Sequence, residues 1–448
     1  MCRWFEMRAM RRGLILWLAV FATPALAQTE APYHLTLKDA IQRGLQANLS
    51  GLVSQTRIEE AEGTRQRRFA NLLPHAHIET PLTYQNRNLK TQGISIPLAP
   101  EVVGPFGTYD FRFYADQTIL DLQSYHNWKA SEQQEQSTRS DYHDVRDQIV
   151  RAVAGLYLNA QANLALADAA ASRVTVSDAL YKLASDQHDQ GTATGVDVLR
   201  AQVQLANDRQ SLLANQNAAK IALLALERNI GMHPGTPLEL AEPLDFQPLA
   251  PLDRESAIRT ALEARSDYQS LARQRAALSE QLKASQARYL PRIGVSGNYG
   301  GTGRSLPDIT GTGALQANLT LNVFDRDRQG EAQEIKSRIE RIERQMSDLR
   351  LGIEQDVGQA LLNLESAADQ VGVAKSGLEL AQRELELSRD RFQHGVTNNI
   401  EVISAQDSVE RAQQNLITAL TLHADAKVAL ARALGDTEKS YESFLGIH

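Results

Sequence analysis

Gly191-Thr192-Ala193-Thr194-Gly195-Val196-Asp197-Val198-Leu199-Arg200-Ala201-Gln202 and Gly395-Val396-Thr397-Asn398-Asn399-Ile400-Glu401-Val402-Ile403-Ser404-Ala405-Gln406 are one pattern written twice, 204 residues apart. A glycine opens each, an acid follows six residues later, and both close on Ala-Gln. The plain reading is a helix reversal, with the acid in the first turn of the new helix where the dipole favours it. The functional reading is a pair of exposed hairpin ends that form a docking surface and a constriction.

Outward from these turns the chain keeps repeating. At the same offset Asp121, Asp186, Val198, Gln210, Ala225-Leu226, Arg228 and Gly231 match Asp325, Asp390, Val402, Gln414, Ala429-Leu430, Arg432 and Gly435. The opening parts match at an offset of 217, with Ala40-Ile41, Leu45, Ala70 and Leu73-Pro74 facing Ala257-Ile258, Leu262, Ala287 and Leu290-Pro291. The first half therefore holds 13 extra residues between Pro74 and Asp121, including Pro97, Ala99, Pro100, Gly104 and Pro105, and these are expected to form a longer extracellular loop.

Proline breaks helices, so its absence shows where long ones are permitted. None stands between Pro105 and Pro234 or after Pro307, whereas five crowd the stretch from Pro234 to Pro251. Each half reads as helix, hairpin, very long helix, turn, helix. The first helices run from about Leu37 to Leu73 and from Arg254 to Leu290, ended by proline. The long ones span about Ser124 to Gln187 and Arg328 to Gln393, ~95 Å each at 1.5 Å per residue. Val145, Ile149, Val153, Leu156, Ala160, Leu164, Ala167, Ala171 and Val174 step by threes and fours, as do Ile353, Val357, Leu361, Leu364, Ala368, Val371, Ala374, Leu378, Ala381 and Leu385. That is a coiled-coil seam. Glycines at 191, 231, 395 and 435 suit left-handed helix ends.

Between the helices the period changes to two. Leu315, Ala317, Leu319, Leu321 and Val323 alternate with Gln316, Asn318, Thr320 and Asn322; Ile293, Val295 and Tyr299 share a face, as do Ile78, Leu82 and Tyr84, and Tyr109, Phe111 and Phe113 alternate with Asp110, Arg112 and Tyr114. Strands of about ten residues with one oily and one wet face fit an outer-membrane barrel, although any one strand alone fits a soluble sandwich. Four strands cannot close a barrel, and open edges are not tolerated in lipid; three copies would supply twelve.

The first 27 residues read as a cleavable secretory leader, with Arg3, Arg8, Arg11 and Arg12, an apolar run from Leu14 to Phe21, and Ala25-Leu26-Ala27. Its removal leaves 43 basic and 53 acidic residues, net −10, which argues against nucleic acid as a partner. Cys2, the one cysteine, goes with the leader, so no disulfide or lipidated cysteine is expected. No later stretch has the ~18 apolar residues that a spanning helix needs. No catalytic constellation or cofactor motif stands out. His75 and His77 share a strand face without a third ligand, so no metal is expected. Gly300-Gly301-Thr302-Gly303 lacks the Lys-Ser/Thr of a phosphate loop. The charges along the long helices read as solvated flanks.

From about Leu35 to Gly435 the chain resembles the TolC-like outer membrane efflux proteins. The resemblance rests on the duplicated order, the Leu-Pro steps into the strands, Leu120-Asp121 and Phe324-Asp325 at their ends, and the paired Gly-to-acid turns. It implies a mainly α fold with a membrane β-barrel: a homotrimer with a 12-strand barrel and a helical periplasmic tunnel. The implied role is a passive exit duct of a tripartite efflux or type I secretion system, embedded in outer-membrane lipid and reaching an inner-membrane transporter through a periplasmic adaptor. Glu401, with Asp197 in the first turn, would constrict the pore; Gly191, Thr192, Gly195, Gly395, Val396 and Asn399 would dock the adaptor. Ser404 stands where some relatives have a second ring acid, and Phe392 and Thr397 where some have a latching tyrosine and arginine. The expected organisation is leader 1–27; first repeat 28–230 with strands about 75–120 and tip 188–196; connector 231–252; second repeat 253–435 with strands about 291–324 and tip 392–400; tail 436–448. The competing class is a periplasmic adaptor or other soluble coiled-coil protein, and an adaptor normally has one hairpin where this chain has two.

Overall fold

The computed structural model of the chain describes residues 33–93, 97, 100–394, 396–397 and 399–446; the leader lies outside the described residues, as does Ala99. In chain order the elements are β1 (Tyr33–Leu35), α1 (Leu37–Ala47), α2 (Leu49–Ala70), β2 (His75–Glu79), β3 (Leu82–Asn88), β4 (Val102–Leu120), α3 (Leu122–Asp189), α4 (Gly195–Asn229) and β5 (Leu238–Leu240). The second half adds α5 (Arg254–Ala264), α6 (Ser266–Ala287), β6 (Arg292–Gly303), β7 (Thr310–Thr320), α7 (Asp327–Gln393), α8 (Asn399–Leu434) and α9 (Thr437–Leu445).

The long strands form one antiparallel sheet in the order β2-β4-β6-β7, with β3 also on β4. Its register sorts the faces. Ile78 pairs with Phe113, which pairs with Tyr299; Val295 pairs with Ala317 and Ile293 with Leu319. The other face carries the Asp116-Ser296-Gln316 and Tyr114-Asn298 rows. On the oily face Leu315 is 84% and Leu319 70% exposed, an apolar surface that this chain leaves uncovered.

Helices pack beneath the strands in a matching order, α2 on α3, α3 on α6 and α6 on α7. All four join the same end of the sheet, so the hairpin turns lie at the other. Asp121 alone separates β4 from α3, and it caps that helix by accepting from Ser124 N at 3.0 Å. Arg292 reaches Asp121 at 3.3 Å, and Arg288 reaches the equivalent Asp325 at 2.6 Å. Asp121, directly after β4, and Asp325, five residues after β7, are thus each held by an arginine where the chain passes from strand to helix.

Four expectations need correction. Each first helix is two, because Asn48 turns extended and caps α2 through Ser50 N, while Arg265 turns extended and its guanidinium grips Asp267 and Asp356. Neither break carries proline. The strand read as far as Val323 ends at Thr320, leaving Leu321, Val323 and Phe324 exposed beyond it. The 13 extra residues are not all loop: β3 pairs with Val102–Tyr109, beyond the point where β6 ends opposite Tyr109, so the first hairpin continues as a two-stranded ribbon. Finally, toward the turns the buried rows fall at multiples of seven, with Ile353, Ala360, Ala367, Ala381 and Ser388 beside Val357, Val371 and Phe392 on α7, and Val153, Ala160 and Ala167 beside Ala170, Ser177 and Ala184 on α3, while nearer the core Ile149, Val150, Ala154, Tyr157 and Leu158 widen the buried face of α3. Ala171 and Ala368 fall on the flanks of these rows.

The apolar core lies mid-length, where α1, α3, α4, α8 and α9 meet around Leu35, Ile41, Val150, Val153, Tyr157, Leu226 and Val428. The parallel pair β1-β5 fastens the start of the chain to the connector, and Glu242 accepts from Leu37 N at 2.9 Å and from Tyr157 Oη at 2.7 Å. Gly231 and Gly435 end α4 and α8 at φ 70° and 91°. A side chain on Gly231 would lie 2.3 Å from Ala47 Cβ. The tail folds back as α9, held by Arg146 on Glu438 at 2.7 Å and by Glu438 N donating to Asp147.

The face assignment predicts that Leu319→Arg loses about 2–4 kcal/mol near a bilayer midplane and lowers the yield of assembled protein, whereas Asn318→Arg on the wet face is tolerated. Equal yields would refute it. Arg146 holds the Glu438 carboxyl below its usual range. A depressed folded value stabilises above the unfolded one, so this contribution is lost as pH falls below about 4.5. Hydrogen exchange over 437–445 should quicken there, and in Glu438→Gln it should be fast already at pH 7.

Candidate functional site: the paired helical turns

The first turn closes on itself. Gly191 takes φ 78°, a left-handed turn that a side chain would strain, and Thr192 N and Oγ1 both return to Gln187 O at 2.9 Å. Thr194 caps α4 in a full capping box: its Oγ1 donates to Asp197 Oδ2 at 2.6 Å, its backbone N–H reaches the same oxygen, and Asp197 N points back to Oγ1. Arg200 lies 3.6 Å from Asp197. Gly195 is the first residue of α4.

The second turn uses other bonds for the same end. Val396 N returns to Arg391 O at 2.9 Å, Thr397 Oγ1 donates to Glu401 Oε2 at 2.5 Å, and Arg391 Nη1 lies 3.1 Å from Glu401 Oε1. Asn399 begins α8; Gly395 and Asn398 lie outside the described residues. Thr397 thus holds the acid from its own turn. Both acids, Asp197 and Glu401, are engaged by their own hairpins. Val196 is 54% and Val396 68% exposed, with Leu199 and Ile400 also open, so the turns present apolar side chains at one end of the molecule.

Above the turns the hairpins lean together. Phe392, Leu180, Ala184, Ala201, Ile403 and Gln406 surround a small cavity, and both amide atoms of the buried Gln406 lack a partner among the described residues. Higher still, Arg173 of α3 meets Asp208 of α4 at 3.0 Å, Ser211 at 2.8 Å and Glu410 of α8, while Ser177 bonds the same Asp208. Arg173 thus ties the two hairpins of one chain together. Sequence reading passed over this cluster as solvated charge; the available signal was that Arg173, Asp208 and Glu410 interrupt the repeat, facing Gly377, Ala412 and Ala206 in the other half.

Arg57, Arg68, Gln134, Asp141, Glu334 and Arg338, from α2, α3 and α7, face a polar groove of about 710 Å³. In the sheet His77 stacks on Tyr114 and His75 pairs with Asp116. Among the described residues no three His, Cys, Asp or Glu gather as metal ligands.

A family described as outer membrane efflux protein matches residues 40–232 and 257–436, one match per repeat. The probable efflux pump outer membrane protein TtgC of Pseudomonas putida is 24% identical over 444 residues, 94% of this chain and 84% of that one. Among solved structures, the outer membrane protein VceC of Vibrio cholerae superposes with a TM-score of 0.76 at 16% identity, over 89% of this chain and 96% of that one. The open-state MtrE outer membrane channel of Neisseria gonorrhoeae gives 0.73 at 18% identity, over 89% and 88%.

Thr194→Ala removes one half of the capping box and should cost the start of α4 about 1 kcal/mol. Hydrogen exchange at residues 195–198 should accelerate about fivefold while the Gly231 end is unchanged.

Proposed function

The chain belongs to the outer membrane efflux protein family, and from that premise we propose that three copies close into one continuous duct, with a 12-strand barrel in the outer membrane and a helical tunnel below it. The chain is a channel of a tripartite efflux system, a passive duct and not an enzyme. The copy number, the tip contacts and the partners are the proposal.

One observation carries the ring. Below the core the helices lie in the order α4-α3-α8-α7, so α4 and α7 are the free sides. On α7, Leu362, Val373, Leu380 and Leu387 are 66–75% exposed. Their counterparts on α3, Leu158, Ala169, Val176 and Leu183, are buried or half-buried. On α4, Leu199, Leu213 and Leu224 are exposed, while their counterparts Ile403, Ile417 and Val428 on α8 are not. The chain itself therefore supplies the template: α7 of one copy receives α4 of the next as α3 receives α8. The same sense of rotation brings α2 and β2 to α7 and β7, and every contact is head-to-tail. Three copies bring the barrel to 12 strands with no edge left in lipid.

At the far end the exposed valines and the glycine turns dock a periplasmic adaptor that links the duct to an inner-membrane transporter. Glu401 faces the axis as a ring of three, each carboxylate partly offset by Arg391. Three acids in a narrow constriction favour cations and hold a divalent ion between them.

The parent should migrate as a heat-modifiable trimer from outer-membrane fractions; a monomer in the periplasmic fraction would refute the duct. In planar bilayers, Glu401→Gln should abolish cation preference and divalent block, and Arg391→Gln should strengthen both. If neither property moves, Glu401 is only a helix-start acid.

A further inference from the structure

This inference rests on the trimeric reading, in which α7 of one copy meets α4 of the next as α3 meets α8 within the chain. The duplication behind that template holds residue for residue inside the chain. His75 pairs with Asp116 and Glu79 with Arg112; advancing the first residue by 217 and the second by 204 gives Arg292 with Thr320 and Ser296 with Gln316, the pairs found between β6 and β7. In the turns, Thr192 N on Gln187 O becomes Val396 N on Arg391 O.

Carried across the seam, the offset of 204 sorts the charges of α3 and α8. Arg151, which bonds Asp425 at 2.6 and 2.7 Å, becomes Gln355 facing Ile221, and the Arg173 group becomes Gly377, Ala412 and Ala206. One pair survives. Arg432 of α8 donates to Asp144 of α3 at 2.5 Å, with their side chains only 20% and 16% exposed, and their counterparts are Arg228 on α4 and Asp348 on α7.

Within one chain these two have nothing to hold. Both are exposed, and among the described residues neither side chain makes a hydrogen bond or ion pair. They stand where the inner pair stands. Arg228 and Arg432 each lie three residues before the glycine that ends their helix, and Asp348 and Asp144 lie 23 residues after Asp325 and Asp121. On α4 the exposed row Leu199, Val203, Leu213, Ile221 and Leu224 runs into Arg228; on α7 the row Leu387, Leu380, Val373, Leu362 and Leu351 runs into Asp348. Each free face is thus an apolar stripe that ends in a charge, and the two charges are opposite. Apolar rows repeating at sevens fit one another again after a slip of one heptad, whereas a polar contact at one height does not.

We propose that Arg228 of one copy and Asp348 of the next form an ion pair at each seam of the trimer, and that this pair pins the height at which neighbouring helices meet. The occupant of the free α7 face is a second copy, held in register by charge. Once the copies meet, the pair is covered as Arg432 and Asp144 are, so a like charge in either place is heavily penalised.

Charge exchange tests this in outer-membrane fractions of cells that make the full chain, with trimer measured relative to total chain. Arg228→Asp and Asp348→Arg each set like charges against each other, and each should cut the heat-modifiable trimer about tenfold. The double variant Arg228→Asp with Asp348→Arg brings opposite charges back and should return the trimer to near the parental amount, which also excludes a folding defect in the single variants. In the trimer of Arg228→Cys with Asp348→Cys, a short bismaleimide should join one copy to the next, giving covalent dimers and trimers on a denaturing gel; the chain's own cysteine, Cys2, lies in the leader. Single reversals that leave the trimer unchanged, a double variant without recovery, or cysteines that join only within a chain or not at all overturn the proposal. A parent that yields no trimer would instead overturn the reading beneath it.

Discussion

A strand edge cannot be left bare in hydrocarbon, where no water replaces the missing hydrogen bonds. The sheet has two such edges, β2 and β7, and the side chains between them are oily on one face and wet on the other. In the proposed ring, each edge finds its partner on the next copy. The helices keep to the same plan, because their order follows the strands and their free sides fall below the free edges. The apolar rows on α4 and α7 answer the same requirement in water that β2 and β7 answer in lipid.

Duplication makes the proposed ring economical, since one contact geometry would serve inside the chain and between chains. Divergence then separates the two uses. The Arg173 cluster stands where the two repeats meet within one polypeptide, Arg173 and Asp208 from the first and Glu410 from the second. A buried ion pair contributes little net stability compared with an apolar replacement, but it penalises separation heavily. At the equivalent positions the small residues Gly377, Ala412 and Ala206 leave a surface that can be buried without that clamp.

Much of this was legible in one sequence. Period two against period seven, the proline map and the offsets of 204 and 217 led to the repeated architecture, and the paired turns were visible as a motif. The capping box around Asp197 was legible too, as Thr194-x-x-Asp197. What was not legible depends on distance or on unmarked conformation. Asn48 and Arg265 stop a helix with ordinary residues, and only the fold reveals that each does so by gaining a side-chain partner. Arg173 meets Asp208 and Glu410 from far along the chain, so nothing local distinguishes it from a solvated flank. The α9 helix is nine residues long and polar for most of its length, and it depends on Arg146, nearly three hundred residues away.

The junction at Asp121 has a further consequence. With one residue between β4 and α3, strand and helix form a single strut of 19 and 68 residues, ~160 Å from end to end. Its partner α7 has 67 residues, so the two turns come out level. The molecule's reach is thus a matter of counting: lengths change in units of seven, and a unit lost from α3 must also be lost from α4, α7 and α8 or the tips no longer meet a common plane. Insertions and deletions tolerated in these helices should therefore come in fours, one heptad to each.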